Sequence, residues 1–164
     1  MKYYNYDVVF QEIPDETTLA INISNCPCRC PGCHSKFLWE DVGTELTIEE
    51  YERILGEVAE DITCVCFMGG DANTLFVQSL AEHTFRQYPH LKIGWYTGRQ
   101  KLPSPTFLEV LDYVKVGPYI KELGGLKSRN TNQRMYKVLH PTMVTTKLED
   151  ITSRFWEDRG SKKD

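Results

Sequence analysis

The sequence lacks the features that mark membrane, secreted and nucleic-acid-binding proteins. No apolar run approaches the roughly 20 residues that a transmembrane helix needs. The first residues, 1–12, contain neither an apolar segment nor the small-residue cleavage site of a signal peptide. The net charge of −4 disfavours general binding to nucleic acid, because that binding needs a basic surface. We therefore expect a cytoplasmic protein that binds neither membranes nor nucleic acid.

Internal repeats and low-complexity tracts are also missing. The chain has 164 residues, which suits a single domain, 1–164, that can bury a core without disulfides. Hydrophobic residues make up 41% and charged residues 26%, and this balance is typical of a globular protein. We expect the polar segment 158–164 to be a frayed tail.

Strand and helix patterns alternate along the chain. Four segments have the pattern of strands: 18–23, 62–68, 91–96 and 113–116. A capping box at Thr47 opens one helix, Asn73 caps a second, and Ser104 followed by proline opens a third. Regular βα alternation predicts an α/β fold with a mainly parallel sheet and helices on its faces. We expect a partial (β/α) barrel or an open curved sheet, since the units are too few for a closed eight-stranded barrel.

Four of the six cysteines fall in one loop, directly after the first of these strands. Three of them, Cys26, Cys30 and Cys33, have C-x₃-C-x₂-C spacing. Three thiolates from one tight loop can each bind one iron of a [4Fe–4S] cluster and leave the fourth iron open, which is typical of a reactive centre. Gly32 suits a backbone that wraps closely around inorganic sulfide. We therefore predict that these three cysteines are cluster ligands.

Two other interpretations of the cysteine loop stay open. A Zn²⁺ site could use all four cysteines, including Cys28, although structural zinc sites usually join two separated pairs. An electron carrier could close its cluster with Cys28 or a distant thiol, although ferredoxin spacings differ from this one. The role of Cys28 is therefore undetermined. Cys64 and Cys66 share one face of a strand, and we expect them to be buried apolar residues without a chemical role.

The carboxyl ends of the later strands carry residues that suit a ligand site. Gly69 and Gly70 let backbone carbonyls approach a ligand, and the carboxylate of Asp71 can accept a hydrogen bond from an ammonium group. Most Gly-Gly-Asp turns, however, only reverse the chain and bind no ligand. Thr97 is either a ligand contact or part of a polar turn. Lys115 projects into a cavity or to solvent, and the hydrophilicity of lysine favours solvent.

The cysteine spacing resembles the signature of the radical S-adenosylmethionine (SAM) superfamily. The turn Gly69-Gly70-Asp71 resembles the superfamily's SAM-binding motif, with Asp in place of the commoner Glu. The resemblance implies that SAM chelates the open iron through its amino and carboxylate groups and that an electron from the cluster cleaves the sulfonium. Under the resemblance Gly69, Gly70 and Asp71 hold the methionine amino group of SAM. The further candidate contacts for SAM are His34, Thr97 and Lys115.

A closer resemblance, over residues 8 to 138, is to the glycyl-radical-enzyme activases, above all those of anaerobic ribonucleotide reductases. It is carried by five segments: 10–14, the Cys-x₃-Cys-x-Gly-Cys-His loop, 69–71, 112–117 and 131–134. It implies hydrogen abstraction from a glycine of anaerobic ribonucleotide reductase, with reduced flavodoxin or a similar electron donor. His34 stands where family members often have Tyr. The segment from Gly117 to Arg134, rich in Gly, Lys and Arg, is expected to dock to an acidic partner surface, with Arg134 as an anchor.

Two other functional classes remain open. A small-molecule radical SAM enzyme, similar to the deazapurine synthases, would need polar side chains that enclose its substrate, and the sequence shows no obvious set. A non-catalytic iron–sulfur or zinc protein would only carry electrons or scaffold a partner. Cleavage of SAM in the presence of a strong reductant separates both enzymes from such a protein.

Overall fold

The computed structural model describes residues 1–156, which form an eight-stranded sheet with three α-helices. The strands are β1 (Lys2–Val9), β2 (Thr18–Ile23), β3 (Thr44–Glu45), β4 (Cys64–Met68), β5 (Lys92–Tyr96), β6 (Tyr113–Val116), β7 (Arg134–Thr142) and β8 (Thr145–Asp150). The helices are α1 (Ile48–Val58), α2 (Thr74–Gln87) and α3 (Pro105–Leu108), and short 3₁₀ turns cover Lys36–Leu38 and Thr152–Phe155. The predicted tail, 158–164, lies outside the described residues.

Each predicted helix begins after its predicted cap. The Thr47 hydroxyl accepts the N–H of Glu50 at 3.1 Å, and the Asn73 side chain accepts that of Phe76 at 3.2 Å. These bonds satisfy amide groups that have no partner in the first turn of a helix. Across the part of the chain that is described, no helix is both long and apolar enough to cross a membrane.

The sheet has the strand order β3-β1-β2-β4-β5-β6-β7-β8. The four predicted strands, β2, β4, β5 and β6, lie side by side and pair in parallel, as βα alternation predicts. The other strands add four antiparallel pairings at the two flanks. The structure is therefore a mixed α/β sheet, and the prediction of a mainly parallel sheet or a partial (β/α) barrel is wrong.

Connection lengths explain the antiparallel flanks. A parallel crossover needs a dozen or more residues. The loop 10–17 between β1 and β2 and the two-residue turn between β7 and β8 are shorter than that, so these neighbours pair as antiparallel strands. The segment 117–133, between β6 and β7, contains no helix that could return the chain for another parallel strand.

Side-chain alternation along β4 separates two apolar clusters. Val65 and Phe67 face the larger cluster, which contains the buried residues of α1 and α2. Cys64 and Cys66 face the other side of the sheet and pack in a smaller cluster with Ile13. Both thiols are fully buried, as predicted, and burial raises their pKa well above the ordinary value. The α-helices therefore cover one face, and the opposite face is left for the loop 10–17 and a cavity.

Candidate functional site

A cavity of about 570 Å³ is lined by the cysteine loop, the ends of β4 to β6, the loop 10–17 and the segment 117–133. No residue of α1, α2 or α3 lines it. Its volume lies within the roughly 300–1,000 Å³ of small-molecule sites. It brings together nearly all the predicted site residues: Cys26, Cys30, Cys33, His34, Gly69, Asp71, Thr97 and Lys115. Gly70 is not among the lining residues.

The cysteine loop is shaped by residues with left-handed backbone. Arg29 and Gly32 have φ angles of 42° and 78°. The N–H of Cys33 donates to the carbonyl of Cys30 at 3.0 Å, which closes a tight turn between two predicted cluster ligands. The N–H of Ser35 donates to the Cys33 sulfur at 3.3 Å. Such N–H donors to cysteine sulfur help to set the properties of iron–sulfur clusters.

The donor set of this loop fits a [4Fe–4S] cluster. Its four cysteines are free, half-buried thiols that line the same cavity: Cys26, Cys28, Cys30 and Cys33. Within residues 1–156, no group of three or more His, Cys, Asp or Glu side chains converges as the ligands of a single metal ion do. A cubane cluster instead spreads its ligands over separate irons. The loop therefore has the thiols, the turn and the space that such a cluster needs.

Cys28 connects the cysteine loop to the ends of β4 and β5. Its sulfur lies 3.7 Å from Asp71 Oδ2. It also packs on Gly98, where a Cβ atom would lie only 2.8 Å from the sulfur. Burial, and then the neighbouring Asp71 carboxylate, raise the pKa of the Cys28 thiol to about 12. The neutral thiol therefore donates to Asp71.

Asp71 is the centre of a buried hydrogen-bond network. Its carboxylate accepts from the Thr97 hydroxyl and from the Gly98 N–H, the latter at 3.0 Å. The Nε of Arg99 lies 3.8 Å from Oδ1, and only 1% of the Asp71 side chain is exposed. The sequence suggested that Asp71 accepts from a ligand's ammonium group, but its oxygens here bind protein donors. Asp71 therefore positions the end of β4 against the end of β5.

The two glycines of the turn have different surroundings. Gly70 has φ of 89°, and a Cβ atom there would lie 2.4 Å from Val77 Cγ2 on α2. Gly69 lines the cavity, and its N–H donates to the Tyr96 carbonyl at 3.0 Å. The Trp95 indole donates to the Gly69 carbonyl at 2.8 Å, which leaves one lone pair of that oxygen for a ligand.

Lys115 points into the cavity. The interpretation that its side chain projects to solvent, which the hydrophilicity of lysine favoured, is therefore wrong. The residue is 8% exposed, and Nζ donates to the carbonyls of Gly117 at 2.8 Å and Thr97 at 3.3 Å. Burial lowers the pKa of Lys115 to about 8, against the opposing effect of Asp71 and three loop cysteines. Two of its three N–H donors are used by these carbonyls, and the third is available to a ligand.

The segment 117–133 forms one wall of the cavity and contacts the cysteine loop. The ring of Tyr119 lies 5.4 Å from that of His34, in an edge-to-face arrangement. His34 is exposed at the rim of the cavity. Trp156 supports the segment from outside, because its indole donates to the Leu126 carbonyl at 2.9 Å and its ring lies 5.7 Å from the Arg129 guanidinium.

Polar side chains at the end of this segment hold its beginning. Thr131 donates to the Gly124 carbonyl at 3.1 Å, and the Asn132 amide donates to the Pro118 carbonyl at 3.0 Å. Arg134 follows at the start of β7 and lies 3.7 Å from Asp150, with both side chains partly exposed. The residues 131–133 are therefore a structural brace, and Arg134 already has an ionic partner in the fold.

Several cavity residues were missed by the sequence analysis: Gln11, Glu12, Asn22, Trp39, Tyr96, Lys127 and Gln133. Glu12 and Gln133 belong to segments that carried the family resemblance, which was their only signal. Lys127 lies in the segment from Gly117 to Arg134, which was expected to dock to a partner, but nothing local indicated that it would face Glu12.

Comparison with known proteins supports the iron–sulfur interpretation of the loop. A family model described as a 4Fe-4S single cluster domain matches residues 17–138. This range contains the cysteine loop, the four parallel strands and the segment 117–133. No curated protein and no solved structure matches the chain.

Proposed function

The chain belongs to the 4Fe-4S single cluster domain family, and we propose that it is a radical SAM activase. In this proposal it cleaves SAM reductively and takes a hydrogen atom from a glycine of an anaerobic ribonucleotide reductase, producing a glycyl radical. Cys26, Cys30 and Cys33 would hold three irons of the cluster, and the bound cluster would supply the electron that cleaves the SAM sulfonium. A donor such as reduced flavodoxin supplies this electron to the cluster. We place this chemistry in the cytoplasm, where free thiols persist.

The observation that carries the proposal is the cavity shared by the cysteine loop and the strand ends. An electron carrier has no need of a ligand cavity beside its cluster. Here the cavity contains the buried cation of Lys115 and the free lone pair of the Gly69 carbonyl. These groups suit the carboxylate and the amino group of SAM. The hydrogen bond from Cys28 to Asp71 supports three protein ligands rather than four.

The size of the cavity favours a macromolecular substrate. A volume of about 570 Å³ is that of a site for one drug-sized ligand. Once a cluster and SAM fill it, little space remains to enclose a second small molecule. A segment of a partner protein can instead enter from outside, which favours an activase over a deazapurine-synthase-like enzyme.

The test is anaerobic incubation of the reconstituted protein with SAM and dithionite, followed by addition of an anaerobic ribonucleotide reductase. We expect 5′-deoxyadenosine in the first step and the electron paramagnetic resonance doublet of a glycyl radical in the second. The variant Cys26→Ala is the control for both. Formation of 5′-deoxyadenosine without a radical on any candidate reductase would favour the small-molecule enzyme. Absence of both products would favour the carrier.

A further inference from the structure

Glu12 is an acid in the cavity that the proposed function does not use. It precedes Ile13, which is fully buried. Ile13 packs closely on Gly94, since a Cβ atom added to Gly94 would lie only 2.6 Å from Ile13 Cδ1. The main-chain carbonyl of Glu12 accepts a hydrogen bond from the Tyr96 hydroxyl. These contacts fix the backbone at Glu12 without using its side chain. Within residues 1–156 the Glu12 carboxylate has no hydrogen-bond partner.

Two residues of the sheet and one cation interact electrostatically with this carboxylate. Cys66 and Tyr96 lie near enough to interact with it electrostatically, which places it over the face of the sheet. Lys127 lines the same cavity and carries the opposite charge to Glu12, yet the two side chains form no ion pair in the described part of the chain. Burial raises the pKa of Glu12, and Lys127 opposes that rise. A half-buried carboxylate and the ammonium group of an exposed lysine thus line the same cavity without forming an ion pair in the described fold.

Glu12 lies beside the proposed SAM contacts, because its carbonyl binds Tyr96, whose ring lies 5.9 Å from Lys115 Nζ. Glu12 reaches the cavity from the loop 10–17, and the cysteine ligands reach it from the loop after β2. Hydrogen transfer breaks the Cα–H bond of the substrate and forms a C–H bond at the adenosyl C5′ carbon. The substrate glycine must therefore reach the same cavity that would hold SAM. Among the Asp, Glu and Lys side chains that line the cavity, Asp71 and Lys115 are held by hydrogen bonds, whereas Glu12 and Lys127 make none in the described fold and are left to contact a substrate.

We propose that Glu12 and Lys127 form a subsite for the peptide backbone of the glycine-bearing segment of the partner protein. A peptide group offers an N–H donor to the Glu12 carboxylate and a carbonyl acceptor to the Lys127 ammonium group. The Gln133 amide, which also lines the cavity, can both donate and accept. A glycine segment has no side chain to occupy the space between these groups. This inference rests on the proposed function and adds the residues that bind its substrate.

The test measures binding of two probes to the reconstituted protein: acetyl-Gly-Gly-Gly-amide, by saturation-transfer NMR in the presence of SAM, and SAM itself, by calorimetry. The variants are Glu12→Gln and Lys127→Met. Neither side chain makes a hydrogen bond in the described fold, so both variants should fold. The matched control is Glu122→Gln, because Glu122 is an exposed acid of the segment 117–133 that does not line the cavity.

We expect each cavity variant to weaken peptide binding by about tenfold or more, the effect of losing one charge-assisted hydrogen bond. SAM affinity should stay at the wild-type level, and Glu122→Gln should bind both probes normally. A loss of SAM affinity in either variant would instead place that residue in the SAM site, and the proposal would be wrong. It would be equally wrong if wild-type protein bound no peptide, or if the variants bound it normally.

Glycyl-radical formation with the reductase separates this inference from the proposed function. Peptide binding that depends on Glu12, without any glycyl radical from wild-type protein, would support the subsite and count against the activase. A glycyl radical formed equally well by wild type and Glu12→Gln, at the same half-saturating reductase concentration, would support the activase and overturn the subsite.

Discussion

Replacing Asp71 with alanine removes the acceptor on which the ends of β4 and β5 converge. The Thr97 hydroxyl, the Gly98 N–H and the Cys28 thiol all donate to this carboxylate. The hydroxyl can rotate toward another acceptor, but the Gly98 N–H is fixed by the backbone. A buried donor left without an acceptor costs about 1–3 kcal/mol, and hydrogen bonds to charged groups contribute about 1.5–3 kcal/mol each.

We expect Asp71→Ala to lower the free energy of unfolding by about 2 to 4 kcal/mol, because the losses at one acceptor are not additive and the cost of burying a charge is recovered. Urea denaturation of the cluster-free protein measures this change. The control is Asp61→Ala, which removes an exposed carboxylate after α1. Equal stability of the two variants would refute the role of Asp71 as the centre of the network.

The same variant tests the consequence for ligand binding. Iron content should stay at about four per chain, as one cubane cluster requires, since Asp71 is not on the cysteine loop. SAM affinity should fall about tenfold to a hundredfold, because the strand ends that form its site lose their alignment. Calorimetry on reconstituted protein measures this. Unchanged SAM affinity in a destabilised variant would limit Asp71 to a structural role.

Three further predictions concern the loop, the turn and the first helix. Replacing Cys26, Cys30 or Cys33 with alanine should remove both the cluster iron and SAM cleavage, whereas Cys28→Ala should keep about four irons per chain. An equal loss of iron in Cys28→Ala would contradict the assignment of the three ligands. Gly70→Ala should destabilise the protein by about 2 to 4 kcal/mol, because the backbone has a positive φ and the new Cβ atom would clash with α2. The control Gly56→Ala lies in open space on α1 and should stabilise the protein by about 0.5–1 kcal/mol. Urea denaturation compares the two variants. Hydrogen bonds from Arg53 and Tyr3 lower the pKa of Glu50 from 4.5 to about 2, so its contribution to stability is present above pH 4.5 and is lost as the pH falls toward 2. Glu50→Gln should therefore flatten that part of the stability profile of the cluster-free protein, and an unchanged slope would assign the acid loss to other groups.

Local patterns in the sequence predicted the features that depend on neighbouring residues. The cap at Thr47 needs only the amide of Glu50, and the cysteine spacing needs only one loop. The four parallel strands followed from their βα spacing. The flanking strands did not, because β1 is identified by its pairing with β2 rather than by a pattern of its own.

Features that join distant segments could not be predicted in this way. Alternation along β6 gave the face of Lys115 but not what covers that face, so the hydrophilicity of lysine pointed to solvent. The Gly-Gly-Asp turn suggested a ligand contact for Asp71, since the donors of Thr97 and Gly98 come from another strand. The facing charges of Glu12 and Lys127 depend on how two loops fold over the sheet, which neither segment indicates alone.

The support that Trp156 gives to the wall of the cavity has a consequence for biosynthesis. A chain leaves the ribosome from its amino terminus, and early segments can fold while later ones are still being made. The cysteine loop emerges well before Trp156, whose indole holds the Leu126 carbonyl. During that interval the segment 117–133 lacks the two contacts that Trp156 provides. The wall therefore gains this support only after Trp156 has been translated, more than a hundred residues after the cysteine loop.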